Sequence, residues 1–136
     1  MPKKLISGQN GFTLLEVLIA ISIFAIGLLA VATMQLSAIG GNRSGNRLTA
    51  ATFLAEAQIE TLKNSGLSSA ALTPGNYSDP NNPVDETGAG GGAFNRTWVV
   101  ANHSGFSRLI TVTVAWSEAG YNRRVVIDTI TRGGGN

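Results

Sequence analysis

The 136-residue chain has room for one small domain beside an N-terminal apolar segment, so its soluble core, drawn from about a hundred residues, is modest. The absence of cysteine excludes disulfides and thiolate chemistry and leaves packing or assembly to stabilise the remainder. Ten basic side chains stand against eight acidic ones, but Arg43, Arg47, Lys63, Arg96, Arg108, Arg123, Arg124 and Arg132 are scattered. They form no stripe that could track a phosphate backbone, and no nucleic-acid partner is expected.

In chain order, Lys3 and Lys4 precede a run from Leu14 to Met34 that contains one charge. About 20 apolar residues is the length a helix needs to cross a hydrocarbon core. The two lysines favour a cytoplasmic N-terminus, although Arg43 and Arg47 on the other flank make the count nearly even. A secretory signal peptide is the competing reading, because Ala30-Val31-Ala32 offers an A-x-A cleavage pattern. The run exceeds the usual h-region of about 7 to 15 residues and carries a carboxylate near its start, which fits a retained anchor better. That carboxylate, Glu16, would cost about 2 to 3 kcal/mol at the helix centre. Either it snorkels to the interface from the first turn, or it has a positive partner in the same low-dielectric layer.

The string Gly11-Phe12-Thr13-Leu14-Leu15-Glu16-Val17 resembles the prepilin processing motif of type IV pilins and type II secretion pseudopilins. The resemblance implies a prepilin leader over 1–11, cut by prepilin peptidase after Gly11. Phe12 would then become the N-methylated first residue, and Glu16 would pair with the N-terminal amine of an adjoining subunit. With Lys3 and Lys4 removed, the mature side chains balance at eight against eight. A long helix over 12–64 is expected, with 12–36 as transmembrane segment and filament core and 47–64 amphipathic. The remaining 65–136 form a loop and a C-terminal β-sheet head. The implied fold is α+β and type IV pilin-like, its helix packed against a small antiparallel sheet of about three strands.

From Arg47 to Lys63, Leu48, Ala51, Ala55, Ile59 and Leu62 recur at helical spacing and should lie against the sheet. Lys63 is placed to interact with Glu60, and Asn64-Ser65-Gly66 should end the helix. Glycines at 40, 41 and 45 each cost about 1 kcal/mol in a helix, so a bend or melted turn is expected there. The stretch Ala55-Glu56-Ala57-Gln58-Ile59-Glu60-Thr61-Leu62-Lys63 is similar to the helix end of minor pilins of the PilV and type II secretion I-subunit groups. The later Trp98-Val99-Val100 and Ile110 to Trp116 strings look more like PilV.

Ser65 to Gly92 is rich in Ser, Pro, Asn and Gly and reads as a loop with little regular structure. Asp79, Asp85 and Glu86 match no calcium-loop spacing and are expected to be solvated. Gly88 to Ala93 superficially fits a phosphate-cradling turn but lacks the strand before it and the helix after, so a flexible hinge is expected. Strands are expected over Phe94 to Ala101, Arg108 to Ser117 and Arg123 to Arg132, with Glu118 to Asn122 as a hairpin connection. Trp98 and Trp116 read as core or core-edge anchors, His103 as a solvated loop residue, and Gly133 to Asn136 as a mobile tail.

One loop histidine, no cysteine and no G-x-S-x-G elbow give no nucleophile and base, and Glu56 with Glu60 reads as a solubilising pair. No enzyme activity, cofactor, metal or small-molecule substrate is expected. The functional expectation is a PilV-like minor pilin, single-pass in the bacterial inner membrane with a periplasmic head, and later part of a filament. Its partners would be prepilin peptidase and other pilin subunits, met through their N-terminal helices. The alternatives are a type II secretion pseudopilin and, from a different class, a soluble periplasmic binding protein beginning at Thr33.

Overall fold

The computed structural model describes residues 11–132. The expected leader, apart from Gly11, and the tail from Gly133 lie outside the described residues. One helix, α1 (Leu14–Lys63), is followed by a 3₁₀ turn (Ala70–Leu72) and strands β1 (Gly75–Ser78), β2 (Phe94–Ser104), β3 (Ser107–Glu118) and β4 (Tyr121–Thr131). The chain divides into two compact units between Gly41 and Asn42.

In the first unit, every described side chain is exposed. Its apolar residues contribute nothing to a core. Helical geometry continues without interruption through Gly40, Gly41 and Gly45, so the melted turn expected there does not form. The glycine penalty is about 1 kcal/mol per residue, less than good helix formers on both sides can offset through cooperative propagation.

The second unit, from Asn42, contains the head. Ala50, Ala51, Leu54, Ala55 and Leu62 of α1 are buried in one cluster with Phe94, Ile110, Val112, Val114 and Trp116 of the sheet. Leu48, expected on this face, is 52% exposed, while Ala50 and Leu54 take the contact. After Lys63 the helix closes on the bond from Asn64 N–H to the Glu60 carbonyl at 3.0 Å. The Glu60 carboxylate accepts from Asn64 Nδ2 at 3.1 Å instead of pairing with Lys63.

The sheet is antiparallel in the order β1-β2-β3-β4, four strands where three were expected. Along β3, buried Ile110, Val112, Val114 and Trp116 alternate with half-buried Thr111, Thr113 and Ala115, the period-2 pattern of a strand with one covered face. The hairpin between β3 and β4 is tighter than the five residues expected. Glu118 pairs with Tyr121, leaving Ala119 (φ 50°) and Gly120 (φ 81°) as a two-residue turn. Two successive positive φ values are what a primed turn requires to match strand twist.

The region read as an irregular loop is more ordered than its composition suggests. Leu72 and Val84 are fully buried, and β1 pairs with β2 from Gly75↔Val100 to Ser78↔Thr97. Tyr77 stacks on Trp98 with ring centroids 5.8 Å apart, and its hydroxyl donates to the Thr73 carbonyl at 2.7 Å. Trp116 packs against Phe94 at 5.9 Å, so both tryptophans serve as the anchors expected of them.

Candidate functional site

The residues singled out in the N-terminal motif lie at the start of α1. Gly11 to Thr13 is non-helical, and Phe12 is 82% exposed. Thr13 caps the helix: its Oγ1 accepts the Glu16 N–H at 3.2 Å, while its carbonyl accepts the Val17 N–H at 3.2 Å. Glu16 therefore occupies the third helical position, and Thr13-Leu14-Leu15-Glu16 follows the S/T-x-x-E capping-box pattern. The threonine half of that box is present. This local role was overlooked in the sequence, although the spacing from hydroxyl to carboxylate signals it. A negative side chain here also complements the positive end of the helix dipole. Glu16 is exposed and forms no ion pair among the described residues.

Behind this cap, α1 is long and apolar enough to cross a membrane by length and composition. Two hydroxyls of the apolar run return to their own backbone: Ser22 Oγ donates to the Leu18 carbonyl at 2.7 Å and Thr33 Oγ1 to the Ala30 carbonyl at 2.8 Å. Such bonds remove the penalty of carrying a bare hydroxyl into hydrocarbon. Glu16 is thus the only charged side chain between Gly11 and Asn42.

Residues 6–32 match the family model of the prokaryotic N-terminal methylation motif. Comparisons with curated proteins and with solved structures returned no match. The motif supports a type IV pilin-like or pseudopilin-like role, that of a structural subunit. It implies processing by prepilin peptidase and assembly with other pilin subunits.

The head places the remaining candidates differently from the sequence reading. Asp79 is buried and ion-paired: Arg96 donates to its Oδ2 from Nε at 2.9 Å and from Nη2 at 2.5 Å. Arg96 Nη1 also donates to the Leu54 carbonyl at 3.1 Å, so one guanidinium joins loop, sheet and helix. Burial opposes the charged form of Asp79, but the Asn81 N–H and the Arg96 guanidinium outweigh it and hold the carboxyl below its usual range. Asp85 is also held low, first by the Thr87 hydroxyl and then by the backbone N–H groups of Thr87, Ala89 and Gly88. Asp79 is a buried structural group where a solvated carboxylate was expected, whereas Asp85 holds its turn while partly exposed and Glu86 is exposed, as expected.

The glycine tract is likewise built in. Gly91 and Gly92 N–H both donate to the Pro83 carbonyl, and Val84 bridges to Gly90 and Phe94. A Cβ at Gly92 would collide with the backbone of Val84 and Asp85, so the close approach requires glycine. The hinge expected at Gly88 to Ala93 is a hydrogen-bonded turn. His103 is exposed, as expected, but on the end of β2.

Proposed function

We propose that this chain is a minor pilin of a type IV pilus, of the PilV type, held in the bacterial inner membrane by α1 until it enters the filament. The observation that carries this reading is the unbroken exposure of every described side chain from Gly11 to Arg43, immediately behind a methylation motif. An apolar surface of that extent is stable only in lipid or against other helices.

In this reading the head stands in the periplasm, and prepilin peptidase cuts after Gly11. Before the cut, the Phe12 nitrogen is a neutral amide. Afterwards it is an amine, which is N-methylated and remains cationic. That new charge arises at a helix N-terminus whose dipole is already positive, so a carboxylate in the first turn is needed to offset it. Glu16 supplies one, to the amine of an adjoining subunit or of its own chain. Apolar helix packing provides the bulk of assembly, and the ion pair selects the axial register. Processing thereby creates the partner that assembly uses.

Mass spectrometry of the mature N-terminus tests the proposal. Methylated Phe12 is the expected first residue, whereas a chain beginning at Thr33 would identify a product of general signal peptidase. A type II secretion pseudopilin is the second reading; the lack of any cysteine to close a head disulfide favours it and a minor pilin alike over a major pilin. Finding the chain in sheared surface filaments supports the pilus; finding it only with the secretion apparatus supports the pseudopilus.

A further inference from the structure

The two edges of the sheet differ. Strand β1 has 4 residues, whereas β4 has 11, with no proline, no lysine and no shift in its register with β3. Proline, lysine, bulges and shortness are what blunt an edge strand, so β4 is left able to pair. From Asn122 to Ile130 its outer side makes no backbone bond to another element among the described residues. In a two-residue hairpin the closing pair, here Glu118 and Tyr121, exchanges its backbone bonds, and bonding alternates along the ladder. Asn122, Arg124, Val126, Asp128 and Ile130 therefore turn their N–H and C=O groups outward. The side chains of Val125 and Ile127, opposite Val114 and Val112, pack against the core. Those of Arg124, Val126 and Asp128 lie on the other face and are exposed, Val126 by 48%. Arg124 and Asp128 form no ion pair among the described residues, and the strand between them, about 13 Å, keeps them from each other.

We propose that β4 pairs antiparallel with β4 of a second copy of this chain, about a two-fold axis through Val126. In that register Arg124 of each copy stands opposite Asp128 of the other, and Val126 opposite Val126. On the covered face Val125 stands opposite Ile127, so the apolar row continues from one sheet into the next, and Arg123 falls opposite Thr129. The backbone groups that face outward on the two strands are also the ones that meet, because the paired positions are all even-numbered. Neighbouring registers lose this match. Centring the pair on Arg124 or Asp128 sets like charges face to face, and centring it on Val125 or Ile127 leaves both charges opposite uncharged side chains. Charge complementarity thus selects the occupant as well as the register. The partner strand needs a base, an apolar residue and an acid at every second position, which is the order β4 itself supplies. The contact is isologous, uses residues of the second unit alone and closes on two chains, so it covers the edge without propagating.

The full chain contains no cysteine, so Val126→Cys puts one thiol on the proposed axis. The Cα atoms of a bonded antiparallel pair lie about 5.5 Å apart, within disulfide reach. Asn122→Cys is the control: in the same register it meets Ile130, and the two thiols stand about 26 Å apart along the strands. The full chain is purified in mild detergent, its mass is measured by light scattering, and the variants are oxidised with copper phenanthroline at equal concentration. The expected result is a dimer of the parent chain and a covalent dimer at position 126 that is absent at 122. Adding Asp128→Arg to Val126→Cys sets Arg against Arg and should abolish the cross-link. Adding Arg124→Asp as well exchanges the two charges and should restore it. Near-ultraviolet dichroism of Trp98 and Trp116 checks that each variant keeps its packed head. A monomeric parent chain, equal cross-linking at 122 and 126, indifference to Asp128→Arg, or no recovery on exchanging the charges overturns the inference. Association that appears only when other pilin subunits are supplied assigns the edge to them and overturns it as well.

Discussion

Removing the Asp79 carboxylate should unfold the head disproportionately to its size. The Asp79 and Arg96 side chains are 5% and 12% exposed, and Arg96 also holds the Leu54 carbonyl of the helix. Asp79→Ala would leave a guanidinium buried without its counter-charge, a loss of about 3 to 5 kcal/mol. In a domain of this size each kcal/mol moves Tm by about 4 to 8 °C, so the melt should fall by at least ~12 °C. Removing both partners, as Asp79→Ala/Arg96→Met, should cost less than the sum of the single losses, with a coupling of about 0.5 to 3 kcal/mol. The assay is thermal unfolding of the full chain in detergent, followed by near-ultraviolet dichroism of Trp98 and Trp116. Acid provides a second axis. Because the folded carboxyl is held low, its stabilising contribution is complete above the unfolded value of about 3.9. It is lost as pH falls through the lower folded value, and Asp79→Asn should lack that part of the acid transition. Additive single losses, or a single variant within ~1 kcal/mol of the parent, would refute the clamp.

Four further outcomes follow from the same geometry. Glu16→Ala should insert and be cleaved but join filaments poorly, because an amine would lose its counter-charge at about 3 to 5 kcal/mol; normal incorporation in sheared filaments rules out the pairing. Leu72→Ala should destabilise the head by about 2 to 5 kcal/mol, whereas Leu48→Ala, at a half-exposed site, should stay within about 0.5 kcal/mol in the same melts. Gly92→Ala should lower Tm, since its Cβ meets backbone that has no room to yield, and an unchanged melt would show that the turn relaxes. Gly40→Ala and Gly41→Ala meet open space in a regular helix and should each stabilise it by about 1 kcal/mol, visible as greater helical dichroism.

The long helix and the last three strands were legible because their periodicities are strong: 3.6 from Ala51 to Leu62 and 2 from Ile110 to Trp116. Strand β1 was not, because in Gly75-Asn76-Tyr77-Ser78, set between prolines, only Tyr77 favours a strand and the segment is held by its partner. The same holds for Leu72 and Val84, isolated apolar residues in polar surroundings whose burial depends on tertiary closure. Arg96 gave no sign of its pairing, since no local rule links residues 17 apart. On the helix, the expected face included Leu48, but the buried face runs through Ala50, Ala51, Leu54 and Ala55 and leaves Leu48 52% exposed. At the N-terminal motif, the threonine cap could have been read from spacing alone, whereas the amine proposed as partner for Glu16 came only from the resemblance, since no described residue forms an ion pair with it.

The clamp between Asp79 and Arg96 bears on when the head can finish folding. A loop closed by sulfur must wait for an oxidant and an oxidoreductase after export, and stays open to reduction thereafter. A loop closed by carboxylate and guanidinium snaps shut as soon as both strands are present. Its maturation is therefore independent of the thiol chemistry of the compartment, and reductants should leave this head untouched.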